Sequence, residues 1–89
     1  MIDVKQAVKT AIDYFKNLYA DSPFSNLLLE EVELTEDETY WLITLSYSYP
    51  TDDKLMSAIA PLKRGYKTLK INASTGEVIS MKIRTLEYA

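Results

Sequence analysis

The side chains here that could do proton or ligand chemistry are carboxylates and lysines, since the 89 residues include no histidine and no cysteine. Without them the usual general base, the thiol nucleophile and the nitrogen and sulfur metal ligands are missing. Two acidic runs remain, Glu36-Asp37-Glu38 and Asp52-Asp53. Both sit in polar stretches where water keeps a carboxylate ordinary, so they read as solvated loops rather than as acid/base pairs or cation sites. The two glycines, Gly65 and Gly76, stand far apart, and no glycine-rich phosphate loop can be built from them. No catalytic residue, cofactor or metal is expected, and the chain is not expected to be an enzyme.

The remaining chemistry is that of surfaces. Residues 40–49 alternate so that Trp41, Ile43, Leu45 and Tyr47 share one face and Tyr40, Leu42, Thr44 and Ser46 the other. The outward face would continue through Thr68 and Lys70 to Ser80, Lys82 and Arg84. Aromatic rings beside bases on an open sheet can stack nucleobases, but they also serve as cross-strand pairs of a solvated sheet. A net charge of −3 disfavours nucleic acid, whose phosphates attract basic surfaces. A protein partner suits the same face better, because tyrosine and arginine are favoured at interfaces. Leu55, Met56, Ile59 and Leu62 form a second candidate, apolar residues in a stretch that alternation excludes from the sheet. That stretch serves either as a partner-contacting loop or as a lid on the core. The candidate partner-binding set is therefore Tyr40, Leu42, Lys70, Lys82 and Arg84 on the sheet, with Leu55, Met56, Ile59 and Leu62 in the 50–64 insertion.

The elements that must hold these residues begin with a helix over 3–20. Val4, Ala7, Val8, Ala11, Ile12, Phe15, Leu18 and Tyr19 recur at helical spacing, with Lys5, Lys9, Asp13 and Lys16 opposite. Asp3 is placed to cap the first turn and Gln6 to return the bond, while Pro23 bars continuation beyond Asp21-Ser22. The period then changes to two. Strands are expected at 28–34, 40–49, about 65–72 and about 77–84, the first with Val32 and Leu34 inward and Glu31 and Glu33 outward. Leu27, Leu28 and Leu29 break the alternation and blur the first strand's start. In the last strand Ile79, Met81 and Ile83 share a side, and Gly76 supplies the turn before it. In the long 50–64 connection Thr51 could cap a short helix that Pro61 ends. The sum is an α+β domain, an N-terminal amphipathic helix packed on a curved antiparallel sheet of four strands in an α-β-β-β-β meander, with an insertion between strands 2 and 3.

The run from Tyr66 through Ile71 to Asn72-Ala73-Ser74-Thr75-Gly76-Glu77-Val78-Ile79 resembles the final hairpin of PepSY-like domains. Those end in an extended run, an Asp/Asn-Ala-x-x-Gly-Glu-Val turn and a closing strand. Glu31-Val32-Glu33-Leu34 and Trp41-Leu42-Ile43-Thr44-Leu45 follow a leading helix in the same order, so the resemblance covers roughly residues 4–84. It implies a cystatin-like arrangement, the helix gripped by the sheet, and a non-catalytic module of the kind thought to bind or restrain peptidases. The sequence departs from that pattern in its longer insertion and in carrying neither a secretion signal nor a peptidase.

Size and charge bound the rest. Eighty-nine residues suit one domain, and 47% hydrophobic residues provide a core for it. The lack of cysteine fits a reducing compartment, no stretch reaches the ~20 apolar residues of a membrane span, and a cytoplasmic location without membrane contact is expected. Eleven acids and three lysines fall in residues 1–53, against seven bases and two acids thereafter. This lopsidedness places the two ends on opposite parts of one sheet, each offsetting the other's field. The partner is expected to be an unidentified protein or a second copy, the latter as a structural homodimer. An inhibitor or immunity-type role, with an acidic surface blocking an enzyme, is the other alternative.

Overall fold

The computed structural model describes residues 1–51, 58–59 and 61–85. Helix α1 (Val4–Leu18) is followed by strands β1 (Ser25–Leu34), β2 (Tyr40–Pro50), β3 (Leu62–Asn72) and β4 (Val78–Ile83). The strands form one antiparallel sheet in the order β1-β2-β3-β4, with acidic β1 at one edge, most of the bases on inner strand β3 and Lys82 alone on edge strand β4. The α+β class and the α-β-β-β-β order are those the sequence predicts.

α1 starts where its capping residues dictate. The Asp3 carboxylate accepts the Gln6 amide at 2.8 Å, and the Gln6 side chain accepts the Asp3 amide at 3.0 Å. Two otherwise orphaned N–H groups are thereby satisfied. Ala7 and Ala11 are fully buried, and their small size lets the helix approach the sheet closely. Phe15, one turn on, starts an aromatic cluster with Tyr19, Phe24, Tyr47 and Tyr49, its ring 5.3 Å from that of Tyr47 and 4.9 Å from that of Tyr19. Ile43, Leu45, Leu69 and Ile71 supply the sheet's half of the core.

Three boundaries differ from those expected, each for a local reason. β1 begins at Ser25 rather than 28, because it carries two extra residues relative to β2. The register steps irregularly between Ser25 and Leu28 and again between Leu29 and Glu31. These bulges let Leu27 and Leu29 both turn towards the helix, which accounts for the broken alternation of the leucine run. β3 begins at Leu62 rather than 65, with Leu62 paired to Pro50, so the 50–64 insertion shrinks to the 51–61 connection. Ala58 and Ile59 within it are helical, where a short helix is expected. Finally, a bulge at Ile79 shifts β4: Val78 pairs with Ile71, and Val78 and Met81 reach the core, while Ile79 is exposed. Met81 and Ile83, opposite Leu69 and Lys67, share a side as expected, and only Ile79 leaves it.

The end of the sheet near the helix N-terminus is closed by backbone bonds. Ile2 N–H donates to the Ala73 carbonyl at 2.7 Å, and Ala73 N–H to that of Thr39 at 2.9 Å. Trp41 Nε1 donates to the Ile2 carbonyl. The Asn72–Glu77 turn that offers Ala73 is set by Asn72, whose side chain accepts the Ser74 and Thr75 amides, and by Gly76 at φ +79°.

Candidate functional site

The outward sheet face brings the expected residues into rows. Leu42 stands opposite Lys70, and Lys70 opposite Ser80, while Thr44, Thr68 and Lys82 form the neighbouring row. The Lys70 ammonium lies 4.2 Å from the centre of the Tyr40 ring, a cation–π contact. Arg84, though more than a third exposed, is tied down along the face. Its Nη1 donates to Glu31 at 2.7 Å and to Thr44 at 3.0 Å, reaching from one edge of the sheet to the other. The Glu31 carboxylate beside it holds the guanidinium still further into its protonated range.

Sequence reasoning missed the residue that closes this face, Arg64. Its guanidinium donates to Ser48 Oγ at 2.8 Å, to Ser46 Oγ at 2.6 Å and to the Asn26 carbonyl at 2.9 Å, and Ser46 donates in turn to Glu30 at 2.7 Å. Thr44, Ser46 and Ser48, which alternation places on a solvated face, are buried under these side chains. Such burial is tolerated because each hydroxyl has a partner. Among the described residues no buried side-chain nitrogen or oxygen lacks one. Beside the network lies a small recess of about 230 Å³ between Glu31, Glu33, Leu42, Thr44, Thr68 and Arg84.

The helix side differs. Between α1 and edge strand β1 runs an open groove of about 470 Å³, with Val4, Val8 and Ile12 as one wall and Leu29 and Val32 as the other. Lys5, Lys9 and Asp13 form its rim, Lys9 and Asp13 paired at 2.7 Å. Val4 (41% exposed), Leu29 (47%) and Val32 (37%) are too open for core residues. The sequence assigns Val4, Val8 and Val32 to the core side correctly. It gives no exposure directly, but the element count contains the signal. One helix about 10 Å wide cannot cover four strands spaced about 4.8 Å apart.

Of the insertion residues, Ile59 and Leu62 are exposed, Leu62 as part of β3; Leu55 and Met56 lie outside the described residues. In the β1–β2 loop the Asp37 carboxylate accepts the Thr35 hydroxyl at 2.7 Å and the Thr39 amide at 3.0 Å, and these bonds hold it below its ordinary acidity range. Among the described residues no three acidic side chains are grouped to hold a metal ion, and no helix is long and apolar enough to cross a membrane. No family model, curated protein or solved structure matches this chain.

Proposed function

We propose that this chain is a small non-catalytic protein-binding module whose contact surface is the groove between α1 and β1. The observation that carries this reading is the set of apolar side chains on an uncovered sheet edge, Val4, Leu29 and Val32 with Val8 and Ile12 beneath. Apolar surface gathered in one groove is the kind that a partner covers. The outward face is the competing surface. Its centre is occupied by internal bonds of Arg64 and Arg84, leaving Tyr40, Leu42, Lys70 and Lys82 for contact. The helix-then-four-strands order agrees with a PepSY-like binding module, in support of the fold alone.

The test compares retention of a partner from source-cell lysate by three baits. A protein held by the native chain and by Lys70→Glu/Lys82→Glu, but lost with Leu29→Asp/Val32→Asp, supports the groove. Loss with the lysine pair alone moves the contact to the outward face. A second reading, a homodimer, is favoured by Ile79 and Ile83 exposed along the β4 edge. A strictly monomeric mass at high concentration removes it.

A further inference from the structure

We infer that the groove takes an extended segment alternating apolar residues with lysine or arginine, added as a strand to the free edge of β1. The inference rests on the binding-module reading and names the occupant. Three observations define that occupant. First, β1 is an edge strand, and residues 31–34 pair with β2 without irregularity beyond the bulge at Glu30. Its outer backbone groups can therefore accept another strand, the route by which sheet edges capture peptides.

Second, the two sides of an added strand would meet different surroundings. Its helix-side residues would fall between Val32 and Leu29 on one wall and Val4 and Val8 on the other, an apolar slot. Lys5 on that rim penalises a base there, while Lys9 is paired with Asp13. Its outward residues would fall beside Glu33 and beside Glu31, which is half exposed and already pairs with Arg84 at 2.7 Å. Opposite charges across strands stabilise a pair and like charges destabilise it, so the outward positions call for lysine or arginine.

Third, the same carboxylates disfavour a second copy as occupant through this edge. A two-fold β1–β1 pairing centred on Val32 would set Glu31 against Glu33 of the other copy, and Glu33 against its Glu31. Strand β4 of a second copy would bring Ser80 and Lys82 to the outward side, a single base where an alternating peptide sets one at every outward position.

The experiment titrates the intact chain with three capped decapeptides: alternating valine and lysine, the same composition as a valine block followed by a lysine block, and alternating valine and glutamate. Amide shifts and hydrogen exchange are followed by NMR. The expected result is saturable binding of the alternating lysine peptide with protection at residues 31–34, and roughly tenfold weaker binding of the other two. Glu33→Lys, an exposed substitution checked for an unchanged far-UV spectrum, should reverse the preference between the lysine and glutamate peptides. Equal binding of all three, protection elsewhere, or a concentration-dependent dimer that the peptide fails to dissociate would overturn strand addition. If no peptide binds while Leu29→Asp/Val32→Asp still abolishes partner retention, strand addition falls and the binding-module reading stands. If retention is also unaffected, both fall.

Discussion

The two faces of the sheet are closed by different means, and they differ at the β1 margin rather than at the centre. On the outward face Arg64 and Arg84 bond to Ser46, Ser48 and Thr44 and convert a polar strand into buried surface. On the helix side a single helix covers the middle and leaves the β1 margin apolar and open. Burial therefore does not follow the apolar pattern here: Ser46 is fully buried, whereas Leu29 is nearly half exposed. A long guanidinium can reach several hydroxyls and a backbone carbonyl at once; a helix can cover only its own width.

The sharpest way to break this contrast is to truncate matched leucines on one face. Leu45→Ala, at the centre beneath α1, should cost about 2–5 kcal/mol in denaturant unfolding. Leu29→Ala, in the groove, should cost well under half of that, and similar losses would mean that the groove is closed in solution. Next in size is Gly65→Ala. A methyl group there would lie 2.6 Å from the Tyr47 ring, so the ring must move, at a cost of about 1–3 kcal/mol. An aromatic side chain lying over a strand glycine replaces the packing that the glycine lacks. Arg64→Ala should cost about 1–3 kcal/mol, because it leaves Ser48 and the Asn26 carbonyl short of a donor. Arg64→Lys should recover little of this, since an ammonium lacks the planar fork that spans three acceptors. A fully tolerated Arg64→Ala would show that the outward face is not closed in this way.

The smallest effect concerns the loop joining the two edge-side strands. The folded state lowers the Asp37 pKa from 3.8, so the carboxylate contributes stability that is fully present above that value. The contribution is lost as the pH falls through the lowered folded value. In Asp37→Asn this acid-side loss should shrink, as comparison of unfolding midpoints against pH would show; identical acid limbs would remove the assignment.

Much of the fold was legible in the residues. The Asp3–Gln6 box, the 3.6-residue stripe and the alternation of 40–49 place α1, β2 and the two faces as observed. What failed was register and exposure. An extra residue in a strand leaves no composition signal, so the bulges at Glu30 and Ile79 moved Leu27, Leu29 and Val78 to sides that strict alternation does not give. Arg64 could not be read as a cap on the outward face until β3 was known to extend to Leu62. The groove residues Val4, Val8, Ile12 and Val32 were assigned to the right side, but their exposure depends on how far one helix reaches across four strands.

The most direct test of the central claim is amide hydrogen exchange on the chain alone and bound to the partner it retains. Slower exchange confined to residues 4–12 and 31–34, with residues 68–70 and 80–82 unchanged, is the result this account predicts. New protection at 68–70 and 80–82, with 31–34 unaffected, would contradict it and place the contact on the outward face.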